Sequence, residues 1–206
     1  AVLSATKVYA GEGVDRLTFA STTDAVISGV YSAGEYVAFT GGAQVSALFS
    51  DATISGSTIQ GGSNNDSLVF SGAVAGNTID VGGGADTLRF NSTFSGSLSG
   101  LFSGSEYVSF GSNASVAFGN AIAAGTTIVA GAANDSLAFG FSVAGATIDA
   151  GAGVDTLLFS AAVGGASIDA GAGADSLVFL STFSGRISGL YDNGEYVCLL
   201  YTSPSP

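Results

Sequence analysis

The residues of this chain with the means for chemistry are carboxylates, and they recur on a fixed beat. Asp15, Asp66, Asp86, Asp135, Asp155 and Asp175 each open a D-x-L-x-F pentad, and Glu35 and Glu106 open an E-Y-V-x-F variant that starts again at Glu195. Before each aspartate runs a loop of small residues: GEGVD at 11–15, GSNND at 62–66, GGGAD at 82–86, GAAND at 131–135, GAGVD at 151–155 and GAGAD at 171–175. In three loops a second aspartate stands six residues upstream, giving D-x-G-x-G-x-D at Asp80/Asp86, Asp149/Asp155 and Asp169/Asp175. Carboxylates and carbonyls gathered at a glycine turn are donors for a hard divalent cation, and irregular multi-oxygen sites suit Ca²⁺ better than Mg²⁺. Stacked in register, such carboxylates would lie ~5 Å apart and repel by ~0.8 kcal/mol in bulk water, several-fold more where the effective dielectric is about 20. No Lys or Arg lies in the loops to offset this, since Arg16 and Arg89 fall in the strand beyond. A calcium ion between stacked turns is one solution. The other is that each aspartate caps its own turn by accepting backbone N–H bonds, with solvent screening the charge. Capping is favoured at Asp66 and Asp135. Metal is expected foremost at Asp149, Asp155, Asp169 and Asp175, then at Asp80 and Asp86, with Asp15 and, more weakly matched, Asp66 and Asp135 completing the series.

The elements that must hold these loops follow from the period. The steps Asp15 to Glu35, Asp66 to Asp86, Asp86 to Glu106, Asp135 to Asp155, Asp155 to Asp175 and Asp175 to Glu195 are all twenty residues. Two steps differ, Glu35 to Asp66 (31) and Glu106 to Asp135 (29), and each holds an extra short strand, around Val45 to Phe49 and Val116 to Phe118. Within each pentad Leu and Phe alternate with other residues, the period-2 mark of a strand with one buried face. Further columns keep step: Val8, Ile59, Ile79, Ile128, Ile148 and Ile168 before the acid, and Thr23, Val74, Phe94, Val143, Val163 and Phe183 after the Phe. Leu3 already falls in the latter. The spacing predicts coils of three short strands joined by Gly-rich corners, with like residues piled into ladders. The predicted fold is an all-β, right-handed parallel β-solenoid of ~20-residue coils, its hand resting on the general preference of parallel crossovers. The Leu and Phe of the pentads are expected to form two adjacent inward ladders.

Composition narrows the function. A net charge of −12 disfavours nucleic acid and anionic membranes as partners and favours cations. No apolar run reaches the ~18–20 residues that span a bilayer, so membrane insertion is not expected. There is no His, and the single Cys, Cys198, lies with both Pro residues in 198–206. That stretch, CLLYTSPSP, matches a translated sequencing adapter and is expected to be a non-native tail that continues no coil. Residues 1–197 are expected to be one continuous solenoid, cut at both ends, whose open ends self-associate. The carboxylates are the repeat itself, with no pair set apart from it, so the chain is read as non-enzymatic. Thr58, Thr78, Thr127, Thr147 and Ser167 form one hydroxyl column, where an ice-binding face needs two. Asn91 and Asn113 fall in N-x-[ST] patterns, a coincidence in so Ser-rich a chain. The Tyr of each Glu-Tyr pair is expected to face outward over a neighbouring loop.

The glycine-aspartate loops resemble the nonapeptide calcium-binding repeat, G-G-x-G-x-D-x-U-x, of the RTX (hemolysin-type) secreted proteins. The motif comes once per twenty residues here, so one edge would carry it. Ala10, Val81, Ala130, Ala150 and Ala170 replace the first Gly, and Asn64 and Ala133 a later one, where Ala cannot take φ > 0 cheaply. The resemblance implies calcium between turns and a structural, adhesin-like repeat region of a large secreted or cell-surface bacterial protein. The alternatives are an ice- or glycan-binding surface, or the non-catalytic repeat region of a secreted enzyme or toxin. The surface ligand is left open.

Overall fold

The computed structural model describes residues 6–20, 24–30, 34–42, 44–102, 105–190 and 194–200. Leu3, Thr23 and residues 201–206 lie outside them. The described residues contain strands and turns but no helix, and the strands pair in parallel to form two eleven-stranded sheets. The first sheet begins Thr6–Tyr9, Asp24–Ser28, Ser46–Phe49, Ser67–Phe70, Thr87–Phe90, Tyr107–Phe110, Thr127–Val129, Thr147–Asp149 and Val163–Asp169. The second runs Arg16–Phe19, Tyr36–Phe39, Thr58–Gln60, Ala73–Asp80, Phe94–Ser99, Ala114–Phe118, Ser136–Phe139, Thr156–Phe159, Ser176–Phe179 and Tyr196–Leu199. The chain is thus a parallel β-solenoid of about nine turns, in coils of about twenty residues.

Each coil carries two strand positions where three short strands are expected. The Val or Phe segment and the T-I segment that follows it fuse, as in Ala73–Asp80 and Val163–Asp169. Gly76 and Gly165, at φ +65° and +67°, bulge out between the two segments and let both lie in one sheet.

The ladders also differ from the expected pair, and the two irregular steps explain how. A coil consists of two half-turns of about ten residues, one per sheet. A step of 31 or 29 residues adds one half-turn, so the next pentad lands on the opposite sheet. Leu17 pairs with Val37 and Phe19 with Phe39 in the second sheet. Beyond the first slip, Phe49, Phe70, Phe90 and Phe110 line up in the first sheet. Beyond the second, Phe118, Phe139, Phe159 and Phe179 line up in the second sheet again. The extra strands thus supply the first rung of each new stack. The Ile column breaks at the same points: Ile59 and Ile79 lie in the second sheet, and Ile128, Ile148 and Ile168 in the first.

Within a block the rings stack nearly face to face. Phe49–Phe70, Phe70–Phe90 and Phe90–Phe110 centroids are 4.6, 4.8 and 5.1 Å apart, and Phe118–Phe139, Phe139–Phe159 and Phe159–Phe179 are 4.5, 4.7 and 4.7 Å apart. This is the backbone strand spacing of ~4.8 Å carried into the core. Ten of the twelve pentad Leu and Phe side chains are buried, while Leu17 and Phe19, in the first described coil, are only partly covered. At the other end Val197 and Leu199 are 37% and 43% exposed. Cys198 and Leu199 belong to that last strand, Leu199 standing opposite Phe179 where the series would place a Phe. The strand thus runs two residues into the stretch 198–206 that is expected to continue no coil.

Candidate functional site

The acid corners occupy both edges of the solenoid, not one. Asp80 ends a strand of the second sheet and Asp86 precedes a strand of the first, whereas Asp149 and Asp169 end strands of the first and Asp155 and Asp175 precede strands of the second. The half-turn slips therefore move the acid column from one edge to the other. Asp149 and Asp169 are register partners on adjacent coils, as expected for a stacked pair, while Asp80 stands between Gln60 and Ser99.

The second aspartate of each corner turns inward. Asp66, Asp86, Asp135, Asp155 and Asp175 are all buried, and Asp15 is partly so. Their carboxylates cap across coils. The N–H of Asp66 donates to Asp86 Oδ1 at 2.8 Å, that of Asp135 to Asp155 Oδ1 at 2.8 Å, and that of Asp155 to Asp175 Oδ1 at 2.9 Å. At the start of each column the donor is an apolar residue of the extra half-turn, Val45 to Asp66 and Ala114 to Asp135, at 2.8 and 2.6 Å. Every rung thereby satisfies an N–H that the corner would otherwise orphan. Own-turn capping is found at the first aspartates, where Gly82 and Gly171 N–H groups donate to Asp80 and Asp169 Oδ1 at 3.2 Å. Asp66 does both, accepting Gly62 N–H on Oδ2 at 2.8 Å. The Oδ2 atoms of Asp15, Asp86, Asp135, Asp155 and Asp175 are buried without a hydrogen-bond partner.

Burial pushes the Asp86 carboxyl up to about 7, with the carboxylates of Asp66 and Glu106 adding to the rise. Asp135 and Asp155 are pushed to about 6 by burial, Asp155 also by Asp135 and Asp175 on either side. The capping N–H bonds act in the opposite direction and are outweighed.

The glycines of the corners let the coils touch. Gly151 and Gly171 both sit at φ +89°, and a Cβ on either would stand 1.7 Å from the carbonyl oxygen of the coil below, Gly131 O and Gly151 O respectively. Gly171→Ala is therefore expected to cost the ~1–2 kcal/mol of a left-handed L-residue, plus the separation of two coils. Equilibrium unfolding in urea measures it, and an unchanged midpoint would contradict the close approach. Asn64 and Ala133 do not adopt positive φ, so their corners solve the turn differently from the strain expected of them.

Calcium in these corners would need carboxylate and carbonyl oxygens open to a common point at about 2.3–2.6 Å. Several corner carbonyls are turned to the neighbouring coil: Gly131 O and Gly151 O accept the N–H of Ala152 and Ala172 at 2.8 Å, and Ala172 O accepts that of Gly153 at 2.8 Å. One oxygen of each second aspartate from Asp66 to Asp175 is spent on a cap, the other is buried, and the backbones of adjacent coils meet at Gly151 and Gly171. Among the described residues no group of three or more acidic, His or Cys side chains converges. In this arrangement the second aspartates do not fit the ion.

Two features escaped the sequence pattern. Glu35 and Glu106, each the last acid of its column, are buried, and Glu106 Oε2 accepts the hydroxyl proton of buried Thr126. Glu106 thus reaches a hydroxyl on the next coil, where no further aspartate follows. Asn77 is a buried cap: Ser57 N–H donates to its Oδ1 at 2.6 Å, and its Nδ2 donates to Ile54 O at 2.9 Å. The tyrosines do face outward, Tyr107 and Tyr196 being exposed and Tyr36 bonding Gln60 through its hydroxyl. The hydroxyl column is divided, Thr58 and Thr78 lying in the second sheet and Thr127, Thr147 and Ser167 in the first.

No family model, curated protein or solved structure matches the chain. The class that the fold defines is the β-solenoid repeat protein. No helix among the described residues is long and apolar enough to cross a membrane.

Proposed function

We propose that the chain is a structural spacer, an adhesin-like repeat segment of a large secreted or cell-surface bacterial protein, with RTX-type ancestry. The observation that carries this reading is where the repeated side chains are spent. The Phe stacks, the corner glycines and the acid caps all serve contacts between one coil and the next. A chain that invests its repeat in axial stacking makes a rod, and at ~4.8 Å per turn its nine turns extend roughly 45 Å. The acidic charge suits a solvated rod outside the cell, and the glycine-aspartate corners support the RTX ancestry. In this role the segment is non-enzymatic and its work is to hold other parts of the protein at a distance. Antibodies against the solenoid should label intact cells of the organism that carries it. Labelling confined to permeabilised cells would overturn the surface assignment.

A further inference from the structure

We infer that the acid corners work without metal, each buried carboxylate serving as the staple between coils that a calcium ion provides in the repeats they resemble. The geometry is that of a relay. Asp175 caps Asp155, Asp155 caps Asp135, and Asp135 caps Ala114, each through Oδ1 at 2.6–2.9 Å and each spanning twenty or twenty-one residues. Asp86 and Asp66 repeat the relay on the opposite edge and end on Val45. The corner carbonyls bond the neighbouring coil's N–H groups, so the corner is closed by protein atoms alone.

A cap requires an acceptor, whereas a calcium site requires the charge. The protein itself separates the two requirements at Asn77. This neutral side chain makes the same cross-coil bond over twenty residues, from Ser57 N–H to Oδ1, in a buried position. An amide is thus sufficient for the staple. At Asp86, Asp135 and Asp155 the negative charge is a burden, because each faces another carboxylate and its Oδ2 has no donor: Asp86 lies between Asp66 and Glu106, Asp155 between Asp135 and Asp175, and Asp135 beneath Asp155. Replacing Asp by Asn keeps the acceptor and removes the burden. Replacing Asp by Leu removes both and strands an N–H.

Melting curves near neutral pH, in millimolar calcium chloride and then in EDTA, test this on the whole chain. The wild-type protein is expected to melt at the same temperature in both. Asp155→Asn is expected to melt at or above the wild type, and Asp155→Leu several degrees below it, each regardless of calcium. A wild-type rise of roughly 5–10 °C with calcium, the shift expected of an ion at a hundredfold excess over its dissociation constant, would overturn the inference whether or not the variants fold. So would an Asp155→Asn protein that melts as low as Asp155→Leu, since the charge and not the acceptor would then be required.

Discussion

Thermal stability should fall as the pH is raised from about 4 to about 7, the reverse of the usual acid denaturation. Ordinary aspartates sit near 3.9 in the unfolded chain. In the folded chain burial holds Asp86 near 7 and Asp135 and Asp155 near 6. Between those limits the folded state binds more protons than the unfolded state, so the slope of unfolding free energy against pH is negative. The contribution is fully present below the unfolded value and is lost as pH passes through the folded ones. At about 1.4 kcal/mol for each pH unit between the two values, the loss across the three groups is on the order of several kcal/mol. Differential scanning calorimetry at about pH 4.5 and about pH 8 reads it, with the higher melting temperature expected at the lower pH. A melting temperature that climbs with pH would show that the carboxylates are stabilised as anions, by solvent or by a cation. Replacing Asp86 and Asp155 together by Asn should remove most of the slope, leaving only the share of Asp135.

The second large effect belongs to the core. Phe159 is wholly buried and stacked between Phe139 and Phe179 at 4.7 Å on each side. Phe159→Ala is expected to cost ~3–5 kcal/mol, from lost burial and from a cavity that the rigid strand spacing prevents from collapsing. The matching change at Phe19, partly covered and stacked, among the described residues, on Phe39 alone, should cost less. Urea unfolding of both variants checks the pair. A Phe159→Ala cost below ~1 kcal/mol would remove the stack from the core. Equal costs at the two positions would mean that stacking on both sides adds nothing.

The fold could be read from the sequence because a twenty-residue period in Leu, Phe and Gly leaves few ways to bury the apolar positions. The same period hid the change of sheet. Asp66 and Asp135 carry the same motif and neighbours, and only the count of residues before them, 31 and 29 in place of twenty, encodes which face they occupy. Reading that count requires knowing that a coil is two half-turns, which no local pattern states. The corners were legible as chemistry, since carboxylates beside glycines stand out, but not as geometry. Whether Asp155 points outward to an ion or inward to Asp135 N–H depends on a side-chain torsion and on the coil above, and the motif is the same in either case. Asn77 was missed for a related reason: it follows the Gly76 bulge, and the Ser57 N–H that it caps lies on the neighbouring coil. Glu106 was visible as a substitution for Asp, but its hydroxyl partner Thr126 lies in the next coil.

The half-turn slip makes the rod behave like a shaft with indexed positions. Inserting about ten residues at a corner leaves the stacking above and below intact, yet it rotates everything beyond it to the opposite side. Anything fixed to the outer surface after Gln44 is re-aimed in this way, and it is re-aimed again after Asn113. A lineage can therefore choose which side of such a protein a feature faces by gaining or losing one short stretch of DNA, with no redesign of the interior. Length and facing become separately adjustable, the first by whole coils and the second by halves.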